Sequence, residues 1–206
     1  MHHHTAETPE TTGRVIRRAR AYDLFSRKVS FGRDTLVRLA APAHGETVLD
    51  VGCGTGTLAV AIEAKVAPGE VHGIDASPQM IAVADGKAAK ANLGIDFQVA
   101  LIEALPFPDG SFDLVTSSLM LHHLPDDLKR AGLAEIRRVL KPDGRFVAMD
   151  LVAESHSPLG HLLSVFGHSS GENVVDKLGP MMRDAGFEHI ETIATGHGRV
   201  AFVRGR

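Results

Sequence analysis

The stretch Val48-Leu-Asp-Val-Gly-Cys-Gly-Thr-Gly56 decides the fold. Thr47 to Val51 reads as a short buried strand that runs straight into Gly52, Gly54 and Gly56. The Ala-rich run Leu58 to Val66 continues as a helix closed by Pro68-Gly69. In such a strand, turn and helix unit the glycines let the backbone turn sharply and approach a ligand without a side-chain clash, and the helix N-terminus favours a polar or anionic group. The spacing is G-x-G-x-G with the acid Asp50 before it. A dinucleotide fingerprint, G-x-G-x-x-G, counted from Gly52 would place its last glycine where Thr57 stands, which weakens a nicotinamide-dependent oxidoreductase reading.

The next unit repeats the order. Glu70 to Ile74 is a strand reaching Asp75, and Ser77-Pro78 supplies an N-cap and a first-turn proline for a helix running to about Asn92. Gly86 inside that helix costs roughly 1 kcal/mol against alanine. Asp75 follows Gly56 by 19 residues at a strand end, where a carboxylate can accept both hydroxyl hydrogen bonds of a ribose. The turn and the acid together point to an adenosine ligand.

Further strands are read at Ile95 to Ala100, Phe112 to Thr116 and Arg145 to Val152. A helix from Asp126 to Leu140 is stopped by Lys141-Pro-Asp-Gly144. Alternating strands and helices at this spacing imply parallel pairing with right-handed crossovers, a Rossmann-like doubly wound sheet. A helix near Val174 to Ala185 then precedes strands near His189 to Ala194 and Arg199 to Val203. Only a short turn around Gly196 and Gly198 separates these two, so the mostly parallel, seven-stranded sheet should end in an antiparallel hairpin.

Composition bounds the rest. The 206 residues, 44% of them hydrophobic, suffice for one α/β domain but not for two. With 22 Lys and Arg against 25 Asp and Glu, the formal charge of -3 supplies no global basic field for nucleic acid. No run of 18 apolar residues exists, and the start Met1-His-His-His4 lacks the apolar core of a signal peptide, so a cytoplasmic protein is expected. The histidines read as a native start, a shortened tag or a metal tract, in a segment 1–12 expected to be disordered. The single cysteine, Cys53, excludes an intramolecular disulfide.

Five blocks between Val48 and Met149 resemble the class I S-adenosylmethionine-dependent methyltransferases, in particular the group that contains the ubiquinone and menaquinone methyltransferases. They are Val-Leu-Asp-Val-Gly-Cys-Gly-Thr-Gly, Gly-Ile-Asp-Ala-Ser-Pro-Gln-Met, Glu-Ala-Leu-Pro-Phe-Pro-Asp-Gly-Ser-Phe-Asp, Leu-His-His-Leu and Leu-Lys-Pro-Asp-Gly-Arg. The resemblance implies S-adenosylmethionine as cofactor. Asp50, Gly52, Cys53, Gly54, Thr55 and Gly56 would surround its methionine part, Asp75 would hold the ribose, and Ala76 and Met80 would flank the adenine. Ser117 would line the methionyl end, and residues 13–44 would form a helical lid over a cofactor-binding core of 45–152, with 153–206 as the substrate-side segment and hairpin. One departure stands out. The family commonly carries an acid for the adenine amino group where this chain has Leu101; the backbone of Ile102 can still meet the ring, and Glu103 or a water can replace the lost bond.

His122 and His123 follow the fourth strand, beside the expected position of the methyl group, and a histidine there can take a proton from a hydroxyl substrate; transfer by positioning alone is the other reading. Acceptor contacts are expected from Tyr22, Met120, His122 and the segment Ala153 to Gly171. His156, His161 and His168 lack a helical ligand pair, so no metal is expected. The expected function is methyl transfer to a small lipophilic, phenolic or quinone-like acceptor by a monomer or homodimer. Arsenite is disfavoured by the absence of further cysteines, and a nicotinamide-dependent oxidoreductase or a non-catalytic cofactor-binding module are the alternatives.

Overall fold

The computed structural model describes residue 11 and residues 30–67, 69–152, 174–194 and 200–206. Helix α1 (Ser30–Ala40) leads into β1 (Thr47–Val51), α2 (Thr57–Val66), β2 (Glu70–Asp75), α3 (Pro78–Ala91) and β3 (Asp96–Val99). β4 (Phe112–Ser118), a 3₁₀ turn (Leu121–His123), α4 (Asp126–Val139), β5 (Leu140–Leu151), α5 (Val174–Asp184), β6 (Glu191–Ala194) and β7 (Val200–Gly205) complete it. The seven strands form one sheet in the order β3-β2-β1-β4-β5-β7-β6. β7 alone runs antiparallel, against both β5 and β6, so the expected doubly wound sheet and terminal hairpin are both present.

Strand side chains alternate between two helical layers, as a period of two requires. Val48, Leu114, Val147 and Met149 pack with Leu36 of α1, Ile62 of α2 and Ala84 of α3. Leu49, Val115, Phe146 and Ala148 pack with Leu133 and Ile136 of α4 and Leu178 and Met182 of α5. Both faces are covered, which is why the central strands read as continuous apolar runs.

Local signals account for the element ends. Ser77 caps α3 by accepting from the Met80 amide at 3.4 Å, and Asn92 closes it in the left-handed region. Gly86 leaves α3 unbroken, because no atom lies where its side chain would point. Among the boundaries that differ from expectation, two bear on the pairing of the sheet. β4 extends two residues further, to Ser118, paired with β1 on one side and β5 on the other. Lys141-Pro-Asp-Gly144 ends α4 but does not precede the strand: β5 begins at Leu140, and the register with β4 shifts between Phe112 and Leu114 to absorb the extra residues as a bulge. Residues 13–29 of the expected lid, the segment 153–173 and residues 195–199 lie outside the described residues. Among the described residues, no helix is long and apolar enough to cross a membrane.

Candidate active site

A cleft opens at the C-terminal ends of β1, β2, β3 and β4, where the chain order reverses between β1 and β4. That is the position at which doubly wound sheets bind ligands. β1 contributes Gly52 and Gly54, β2 contributes Asp75 and Ala76, and α3 contributes Met80. Leu101, Ile102 and Glu103 follow β3, and Ser118, Leu119, Met120, His123 and Leu124 follow β4. Ten of the expected site residues therefore meet around one cavity.

The glycine turn is held from below. The amides of Gly52 and Cys53 both donate to the Ile74 carbonyl at 2.9 Å, locking β1 to β2 at the cleft floor. Gly52 and Gly56 have φ of 71° and 73°, a region open to glycine without strain. The Asp75 carboxylate accepts from the Gly54 amide at 3.0 Å through Oδ2 and from the Ser77 amide at 2.8 Å through Oδ1. Each oxygen keeps a second lone pair for a ligand hydroxyl. Burial raises the Asp75 pKa, against the two amides that lower it.

Asp50 lies behind the turn and is 1% exposed. Its Oδ1 accepts from Thr116 Oγ1 of β4 at 3.0 Å, while Oδ2 has no hydrogen-bond partner among the described residues. Burial first, and then the like charge of Asp75, push its pKa up to about 7, with the Thr116 hydroxyl and the Arg33 charge acting in the opposite direction. The cleft therefore sets two carboxylates near a glycine turn one of whose amides, that of Gly54, is already taken by Asp75. A pyrophosphate would meet negative charge here, whereas a ligand carrying an ammonium and a sulfonium would relieve it.

Other expected residues fall elsewhere. Thr55 is buried and its hydroxyl accepts from Lys87 Nζ of α3 at 2.9 Å, away from the cleft lining. Cys53 is buried, its thiol pKa raised well above the ordinary value by burial and by the Asp50 and Asp75 charges, so it stays a neutral packing group. Ser117 is buried with no partner for its Oγ among the described residues, and its neighbour Ser118 reaches the cleft. His122 does not line the cleft; His123 does. Glu103 lines it and accepts from Thr11 Oγ1 at 3.3 Å. Tyr22, His156, His161 and His168 lie outside the described residues.

Asp150 was not anticipated. At the end of β5 and 1% exposed, it accepts from the His122 amide at 3.1 Å and pairs with His122 Nδ1 at 2.6 Å. An acid closing an apolar strand was the only trace of it in the sequence. Leu119 was not marked as strained, yet its φ of 54° puts a branched side chain in the left-handed region beside the site.

A doubly wound sheet with a glycine turn, the buried Asp50 and the half-buried Asp75 at its switch point defines a nucleoside-binding α/β protein suited to a cationic ligand. Residues 48–144 match the methyltransferase domain family. The chain belongs to the class I S-adenosylmethionine-dependent methyltransferases, in the group that contains the ubiquinone and menaquinone methyltransferases. It is 37% identical over 150 residues to the demethylmenaquinone methyltransferase of Thermus thermophilus, covering 70% of this chain and 67% of that one. It is 38% identical over 163 residues to the O-methyltransferase cnsE of Penicillium expansum, covering 77% and 58%. The chain thus spans between about half and two thirds of these relatives' length. In fold it is similar to an S-adenosylmethionine-dependent methyltransferase from Aquifex aeolicus, with a TM-score of 0.74, 22% identity and coverage of 91% and 96%.

The residues present fit that cofactor. Asp50 Oδ2 is a buried acceptor behind the turn with no partner among the described residues, Asp75 has acceptor capacity left, and Gly52 presents bare backbone to the cleft.

Proposed function

We propose that this chain transfers a methyl group from S-adenosylmethionine to a small lipophilic acceptor of phenolic or quinone-like type. The observation that carries the reading is the pair of carboxylates, buried Asp50 and half-buried Asp75, at the glycine turn of the switch-point cleft. When bound, the cofactor supplies an electrophilic methyl carbon and departs as S-adenosylhomocysteine.

Asp75 accepts the ribose hydroxyls, Gly52 and Gly54 let the backbone pass close to the methionine part, and Met80 and Ile102 cover the adenine ring. The acceptor side is apolar, built from Leu119, Met120 and Leu124, which favours a lipophilic ring and keeps water from the reacting atoms. Orientation in such a site is worth several kcal/mol of barrier, on the order of 7 or more for well-aligned partners. Two relatives named as a demethylmenaquinone methyltransferase and an O-methyltransferase support acceptors of this kind.

Isothermal calorimetry with S-adenosylmethionine and with NAD(P)H tests the cofactor, and methyl-labelled cofactor with a panel of quinols, phenols and amines tests the acceptor. Binding of the first ligand alone and label on a phenol or quinol is the expected result. Tight NAD(P)H binding without S-adenosylmethionine binding refutes the reading. Cofactor binding with no product across the panel leaves a binding module instead of an enzyme.

A further inference from the structure

We propose that one side of α4, made of Gly132, Glu135 and Arg138, positions the adenine end of the cofactor site. None of the three lines the cleft; they act through Ile102 and the loop that carries it. The inference rests on the reading of Leu101, Ile102 and Glu103 as the adenine seat.

Residues 100–111 join β3 to β4 with no helix or strand of their own beyond an isolated bridge between Leu101 and Ala104. At the start of this loop the Ala100 amide donates to the Asp75 carbonyl at 3.2 Å, beside the ribose acid. From Leu105 onward α4 holds it. The Leu105 amide donates to Glu135 Oε2 at 2.9 Å. Arg138 donates through Nη2 to the Leu105 carbonyl at 3.1 Å and through Nη1 to the Phe107 carbonyl at 2.8 Å. Its own carbonyl accepts from the Gly110 amide at 3.0 Å. Glu135 grips the guanidinium in turn, accepting from Nε and Nη2 at 2.7 Å each, a two-bond fork that fixes its plane.

Gly132 sets the other end of the loop. A β-carbon there would stand 2.6 Å from both Cδ1 and Cγ1 of Ile102 and 3.2 Å from its Cγ2. Glycine is a poor residue for a helix interior, yet α4 runs unbroken across it. What the position gains is the approach of Ile102, which is 6% exposed and stands on the cleft wall. Isoleucine is branched at Cβ and stiff about χ1, so it answers crowding by shifting its backbone, and Leu101 and Glu103 shift with it. α4 does not yield instead, because Leu133 and Ile136 seat it in the core, and a packed interior transmits a displacement.

Fixed points at Ile102 and at Leu105 to Phe107 thus determine where Leu101, Ile102 and Glu103 stand over the base. Their weight is greater in this chain because Leu101 offers the adenine amino group no acceptor, which leaves the base held by the place Ile102 takes.

The test uses the full chain as wild type, G132A, I102A, the double variant G132A/I102A and R138K, titrated with S-adenosylmethionine and with adenosine. G132A should weaken both ligands by the same factor, about tenfold, since the damage lies at the shared adenosine end. I102A removes the atoms that G132A crowds, so the double variant should bind as I102A does, within about twofold. R138K keeps the charge and loses the fork, and should weaken both ligands by about threefold or more. Unchanged affinity in R138K or in a folded G132A, losses from G132A and I102A that multiply in the double variant, or a loss for S-adenosylmethionine without one for adenosine overturns the positioning role. If G132A does not fold, R138K and the double variant decide on the same terms. A folded wild type that binds neither ligand overturns the cofactor reading itself.

Discussion

The Met120 side chain lies directly on Gly52, so close that a β-carbon at position 52 would stand 2.3 Å from Met120 Cγ and 2.8 Å from its Cβ. The contact joins the glycine turn of β1 to the segment after β4, the two halves of the cleft. Gly52→Ala adds this clash to the strain of a φ of 71°. The expected outcome is a folded protein with a melting temperature several degrees lower, as a loss of about 1 to 3 kcal/mol would give, and no measurable cofactor affinity. Differential scanning calorimetry and titration calorimetry check the two parts.

Asp50 links the site to pH. Its pKa in the folded, cofactor-free protein is about 7, above the ordinary carboxylate value, so folding takes up a proton between the two. The stability it contributes is present below the unfolded value and is lost as pH rises through about 7. Asp50→Asn, which can still accept from Thr116, should therefore be more heat-stable than wild type at pH 8 and similar at pH 5. A cationic cofactor near Asp50 lowers its pKa, so binding releases a proton and affinity climbs with pH up to about 7. Calorimetry in two buffers of different ionisation enthalpy should detect that proton in the wild type and not in Asp50→Asn; equal proton counts sink the assignment.

Asp75 supports the turn and the ligand at once. Asp75→Ala removes the acceptor for the Gly54 and Ser77 amides as well as for the ribose, and should weaken cofactor binding by more than about tenfold. Asp75→Asn keeps the shape and one acceptor oxygen and should fall between the two. Unchanged affinity in a folded Asp75→Ala protein refutes the ribose role.

Leu101 lines the cleft where the family resemblance implies an acid. Leu101→Asp restores an acceptor for the adenine amino group and should tighten S-adenosylmethionine binding by roughly fivefold to tenfold, the worth of about 1 kcal/mol for one such bond. A competition titration against adenosine analogues lacking that amino group checks the direction: the gain should vanish with them.

Much of this was legible along the chain. The glycine spacing, Asp50 before it and Asp75 after it are local relations between a turn and the strands that flank it, and so they survive reading in one dimension. Continuous apolar runs marked the strands covered on both faces, and Ser77-Pro78 marked the start of α3. What was not legible depends on register. Whether Ser117 or Ser118 reaches the cleft turns on where β4 ends, which its pairing with β5 decides. Lys141-Pro-Asp-Gly144 carries turn residues, yet the sheet absorbs them as a bulge because Leu140 already pairs with Phe112.

The sequence by itself determined the doubly wound class, the cofactor and the terminal hairpin, because propensity, turn chemistry and apolar period all act over a few residues. Only the tertiary structure decided which of two adjacent histidines is held by a carboxylate. Asp150 reaches His122 through the parallel pairing of β4 and β5, and no rule of local spacing relates residues 28 apart on neighbouring strands. It also decided that Asp50 is buried close enough to Asp75 for burial and that like charge to raise its pKa.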